Sequence, residues 1–294
     1  MALLAIVLCL FLERVWLSLS ELRSFVWFDQ FVDRVRRKGR DDLWSGYFGV
    51  IIVLFLPLFV VVIAYYLLAK MLFLLGFFFA VAVLLYSLGP RDLDAEVHLF
   101  LNAWEQGDEE KARVYAQQIN ESAKPVKTEA LGRIVVEGIF VAAHERWFGV
   151  IFWFVILGPL GALWYRLACV LRDKCVRHGE ESTFADSALM MHHILAWIPT
   201  RLTLLGYALA GSFADAADAW RKETYGWKRN WLVNNYQLLI HGGLGALQLE
   251  EELAADETRS VDARQVRAAL GLVLRTLILA IVLIAVVTLG SWAS

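Results

Sequence analysis

The chain has 294 residues, 59% of them hydrophobic and 20% charged, with a formal net charge of −2. Soluble domains are about 45–50% apolar, so an ordinary water-soluble globule does not fit this composition. A near-neutral charge balance also lacks the basic footprint of a nucleic-acid binder.

The apolar residues come in blocks near the ~20 residues that cross a bilayer. They predict an all-α, polytopic helical membrane protein with about six transmembrane helices and a cytoplasmic αα-hairpin insertion. Residues 1–88 form an N-terminal membrane region, residues 89–130 the hairpin, and residues 131–294 a second membrane region.

The first block, from Ala2, carries Glu13-Arg14 near its end. It lacks the positive start and small-residue cleavage site of a signal peptide, and it reads as a span over about residues 2–18. Leu22, Phe25, Val26, Phe31, Val32 and Val35 then recur at helical spacing opposite charged residues. That pattern predicts an amphipathic helix at about 20–38 lying in the inner interface. Tyr47–Leu68 and Met71–Leu88 are the next spans, a hairpin separated by Ala69-Lys70, with Pro57 as a kink site. In the insertion, Gly107 suits a left-handed helix stop, and Asp108 suits a cap on the helix that begins at Glu109.

Three further spans are expected over residues 148–167, 187–212 and 268–291. Gly158-Pro159-Leu160-Gly161 within the fourth permits either close helix contact or a break. Pro199 interrupts the fifth. Residues 13–45, 89–146 and 213–267 each hold seven Lys or Arg. The positive-inside rule puts these three stretches, including the loop 213–267, in the cytoplasm and both termini in the periplasm of a bacterial inner membrane.

Ionisable groups beside apolar spans are costly and so are functional candidates. Those singled out are Glu137, His144, Glu145, Arg146, Arg166 and Arg201, with Asn235 as a polar wall residue. Glu137 and His144 are seven apart and share a helix face. Arg146 and Arg166 bracket an apolar run and suit headgroup contact. Arg201 needs a partner, such as Glu137, Glu13 or an anionic ligand, and a structural ion pair and ligand contact both remain open. Adjacent His192 and His193 diverge by about 100° on a helix, a poor metal pair. Cys9, Cys169 and Cys175 have neither disulfide-framework nor zinc spacing and read as small buried residues. Neither a catalytic group nor a metal ligand set is assigned.

Together these stretches resemble the CobD/CbiB family of bacterial inner-membrane proteins, and within it the AmpE branch. The resemblance rests on Gly107-Asp108, Ala112-Arg113, Glu137, Phe152-Trp153, Gly161-Ala162, Tyr165-Arg166, Pro199, Arg201-Leu202-Thr203 and Asn235. His144–Phe148 is similar to the AmpE branch in particular. That branch implies a non-enzymatic signalling modulator linked to β-lactamase induction and cell-wall recycling, without a cofactor. Its expected partners are the lipid bilayer, a cytoplasmic or membrane protein, and an anionic small molecule or lipid at the cytoplasmic face. The alternative that the family implies is an ATP-dependent amide ligase of cobalamin biosynthesis, with Mg-ATP as cofactor. Against the ligase pattern, acidic and amide positions are occupied by Val141-Ala142, Cys169, Val170, Arg172, His192, His193 and Ala196. Replacing hard oxygen ligands by Arg and His works against Mg²⁺ binding.

Overall fold

In the computed structural model the described residues are 2–15, 23–38, 46–89, 92–120, 128–180, 182–225, 235–249 and 261–293. They are predominantly helical, with no strand among them. Thirteen α-helices are numbered here: α1 Ala2–Val15, α2 Val26–Lys38, α3 Tyr47–Met71, α4 Phe73–Ser87, α5 Leu93–Glu105, α6 Glu109–Ile119, α7 Leu131–Ala143, α8 Gly149–Leu157, α9 Pro159–Arg177, α10 Thr183–Ala210, α11 Phe213–Tyr225, α12 Asn235–Ala246 and α13 Ala263–Ala293. A π-helical turn, His144–Phe148, joins α7 to α8. Among the described residues, three helical stretches are long and apolar enough to cross a membrane: Tyr47–Met71, Leu131–Leu157 and Ala263–Gly290. Shorter apolar helices cover Ala2–Glu13 and Phe73–Ser87. The protein is therefore a helical membrane protein.

The chain forms two compact units that interleave in sequence: residues 1–90 with 145–197, and residues 91–144 with 198–294. In the first unit, Leu72 turns extended between α3 and α4, so the hairpin reverses in one residue. A Cβ on Gly76 would lie 2.8 Å from the Ala69 Cβ, which is why only glycine fits that close approach. α3 runs through Pro57 as one helix. α2 buries Phe28 and Val32 in a core shared with Val50, Val53, Leu163, Leu167 and Phe184. Ion pairs then fix the polar side of α2. Lys174 Nζ reaches Asp33 Oδ1 at 2.5 Å, and Arg36 pairs with Glu180. The Arg36 hydrogen bonds hold the Glu180 carboxyl below its ordinary range. The amphipathic helix thus packs on protein with one face, although Val26, expected on that face, is 57% exposed. Residues 16–22 lie outside the described residues.

The fourth expected span departs from a single helix over 148–167. Gly158 takes φ 63° and ψ −149°, conformations that side chains resist. Pro159 then opens α9, where its missing N–H costs nothing. The chain doubles back so that Gly149 abuts the Tyr165 ring and Gly161 abuts the Trp153 carbonyl, with the Trp153 and Trp164 rings 5.8 Å apart. The apolar crossing stretch is instead Leu131–Leu157.

The second unit contains the expected αα-hairpin. Gly107 has φ 73°, and Asp108 Oδ1 accepts the Lys111 backbone N–H at 3.1 Å. Such a cap satisfies one of the backbone N–H groups left open at a helix start. Asn120 donates to the Ile134 carbonyl at 3.2 Å, tying the hairpin to α7, and Arg267 of α13 pairs with Glu105 of α5. Glycines let α12 approach its neighbours: Gly242 faces Leu204 and Gly243 faces the Phe140 ring.

Candidate functional site

The charged cluster of the first unit is built on α9. Arg172, 9% exposed, points its guanidinium at three groups. Nη1 pairs with Glu145 of the π-turn, while Nε donates to Asp173 Oδ1 at 2.9 Å. Nη1 also lies 3.3 Å from His192 Nε2 of α10. Because guanidinium only donates, His192 Nε2 is the acceptor and its ring proton sits on Nδ1. Around them the Tyr165 and His192 rings are 5.9 Å apart, and Cys169 and Ala196 are fully buried. Cys169, Arg172, His192 and Ala196, the positions set against the ligase pattern in the sequence, belong to this one unit. The sequence marked Arg172 as a departure but not as a site residue. Its role shows only once Glu145, 27 positions away, is placed beside it.

Pro199 explains a second feature. It has no N–H to give the Leu195 carbonyl one turn earlier. The Trp153 indole donates to that carbonyl at 3.0 Å instead. Trp153→Phe should therefore cost about 1–2 kcal/mol in thermal or denaturant unfolding. In a Pro199→Ala background, where a backbone N–H returns, the same change should cost clearly less. Equal costs in both backgrounds would separate the two residues.

In the second unit His144 is fully buried. Its Nδ1 lies 3.2 Å from Thr203 Oγ1 and its Nε2 lies 3.3 Å from Thr200 Oγ1. Thr203 Oγ1 already donates to the Pro199 carbonyl at 2.8 Å, so it accepts from His144 Nδ1–H, and Thr200 donates to Nε2. The two threonines flank Arg201 in Pro-Thr-Arg-Leu-Thr, and their spacing of three was the signal available in the sequence. Arg201 Nη1 donates to Asn235 Oδ1 at 3.1 Å, and Asn235 is buried. The acids considered as partners of Arg201 have other ones: Glu137 accepts from Arg133 at 2.9 Å, and Glu13 pairs with Arg23 at 3.4 Å.

The other candidates stand in the first unit. Arg146 is half-buried in the π-turn, and the Arg166 guanidinium stacks 5.5 Å from the Phe25 ring centroid. All three cysteines are buried. The described residues contain no group of three His, Cys, Asp or Glu suited to a metal ion. Glu145 and Asp173 are both engaged by a guanidinium, which competes with a cation for the same carboxylate oxygens.

A helical membrane protein with a guanidinium-centred polar cluster is the class that fold and site define. The CobD/Cbib protein family profile matches residues 3–233, and the chain belongs to that family. It is 28% identical over 169 residues to the cobalamin biosynthesis protein CobD of Chromobacterium violaceum, covering 57% of this chain and 53% of the relative. It is 25% identical over 155 residues to CobD of Stutzerimonas stutzeri, covering 52% and 51%. With the probable cobalamin biosynthesis protein CobD of Pyrococcus abyssi the identity is 27% over 194 residues, covering 64% of each. The chain thus spans about half to two thirds of the length of these relatives. No solved structure matches it.

Proposed function

We propose that this chain is a binding member of the CobD/CbiB family that does not carry out amide ligation, a membrane signalling modulator of the AmpE type. The observation that carries the reading is Arg172, placed where its guanidinium ties up Glu145 and Asp173. A ligase driven by ATP needs carboxylate oxygens open to Mg²⁺ and a phosphate pocket made cationic by that metal. Here the acids are already neutralised by a fixed side chain. The cluster suits recognition of a polar group, with Glu145 and Arg146 in the π-turn, a helix irregularity found often at functional sites. The connection to β-lactamase induction rests on the likeness of His144–Phe148 to the AmpE branch.

The relatives favour a second reading: cobalamin biosynthesis, with this chain performing the CobD step itself. One experiment separates the two. Expressed in a strain lacking its CobD, the full chain should leave growth dependent on added cobinamide-level precursors, while a strain lacking its own copy should change its β-lactam response. Rescue of cobalamin-dependent growth would overturn our reading in favour of the ligase.

A further inference from the structure

A cleft of about 500 Å³ opens in the first unit between α2, α3, α4 and α9, walled by Phe31, Pro57, Val60, Val61, Val83 and Leu163. That volume is within the ~300–1,000 Å³ typical of small-molecule sites. None of its lining residues is charged, so a polar solute would lose hydration there without compensation. Two of the lining side chains, Leu56 and Val60, are 50% and 60% exposed. The cleft is therefore continuous with the apolar outer face of α3, where the surrounding medium is lipid.

One end of the cleft is polar. Trp27 Nε1 donates to the Tyr86 hydroxyl at 2.6 Å, and that hydroxyl donates to the Ser24 carbonyl at 2.8 Å. Such amphipathic rings sit at headgroup level. Behind Tyr86 lies the Phe25 ring, 4.7 Å away, and over Phe25 lies the Arg166 guanidinium. Arg166 follows Leu163 by three positions and so shares its face of α9. Its Nε is buried without a hydrogen-bond acceptor among the described residues. Arg23 lies beside it, paired with Glu13 and donating to the Gly89 carbonyl at 3.2 Å. Gly89 itself approaches so closely that a Cβ there would lie 2.5 Å from an Arg166 nitrogen.

An apolar slot open to lipid and closed by interfacial aromatics, with a guanidinium standing just behind those rings, has the shape and charge of a lipid site. We propose that the cleft holds an acyl chain of an anionic phospholipid whose phosphate meets Arg166. Arg pairs with phosphate through paired N–H donors. The proposal uses none of the Arg172 cluster and stands independently of the function proposed above.

Native mass spectrometry of the full chain in detergent, titrated with phosphatidylglycerol or phosphatidylcholine, tests it. Phosphatidylglycerol should bind about tenfold more tightly than phosphatidylcholine. Arg166→Gln should abolish that preference, weakening phosphatidylglycerol binding more than phosphatidylcholine binding, since both lipids carry the phosphate but only the first keeps a net negative charge. Val83→Trp, which fills the slot, should weaken both. Because Val83→Trp could also misfold, the wild-type protein is photolabelled with phosphatidylglycerol carrying a diazirine in its acyl chain. Labelling concentrated on the peptides of Phe31 and Val60–Val61 supports the site. Even labelling along the exposed faces of α3 and α13, or equal binding of the two lipids, overturns it.

Discussion

Replacing Arg172 by leucine should cost about 3–5 kcal/mol of stability, the range seen when one partner of a buried ion pair is removed. The loss comes from what remains behind. The Glu145 side chain is only 13% exposed, so without the guanidinium its carboxylate is left in a poorly solvated place. Asp173, at 38% exposed, can turn to water and contributes less. The double variant Glu145→Leu with Arg172→Leu should recover most of the loss, since exchanging a buried pair for apolar residues is often neutral or stabilising. Equilibrium unfolding in mixed detergent, followed by tryptophan fluorescence, gives all three values. A single Arg172→Leu variant within about 1 kcal/mol of wild type would show the pair to be solvated, in the range of exposed salt bridges.

Gly161→Ala is the second large effect, at about 2–3 kcal/mol. The added methyl group would run into the Trp153 backbone carbonyl and the Leu157 Cβ across the reversal at Gly158. Neither neighbour is the free end of a flexible side chain, so α8 and α9 must move apart. Gly271 in α13 is the control, because a Cβ there meets nothing within 4 Å. Gly271→Ala should fall within about 0.5 kcal/mol of wild type, as surface substitutions do. Similar losses at both glycines in thermal unfolding would remove the case for close packing in this hairpin.

How far the sequence reaches is clear from these same elements. The αα-hairpin was legible because its signals are local: Gly107 accepts a positive φ, and Asp108 caps the next turn with its own side chain. Long apolar helices such as α3 and α13 were legible from length alone. The reversal at Gly158 was legible only as one of two alternatives for Gly158-Pro159-Leu160-Gly161, because residues Trp147–Trp164 form an apolar run of crossing length. A straight helix and a hairpin bury that run equally well, and only the backbone angle at one glycine separates them. The site was legible in part. His144, Glu145, Arg201 and Asn235 were marked by the cost of placing polar groups in apolar surroundings. Their partners Thr200, Thr203 and Arg172 come from distant positions or carry no charge, so periodicity gave no means of pairing them.

The interleaved units have a consequence for biogenesis. Each unit uses an early and a late piece of the chain, so neither is complete when its first piece leaves the ribosome. Helices α2 to α4 precede α9, which shares their core. The α5–α6 hairpin waits longer still, because Glu105 meets Arg267 only after α13 has begun to emerge. During that interval unpaired faces and buried-to-be charges must be shielded by the insertion machinery or by lipid. A ribosome stalled before residue 263 should therefore leave the hairpin open to protease while the first unit is already protected.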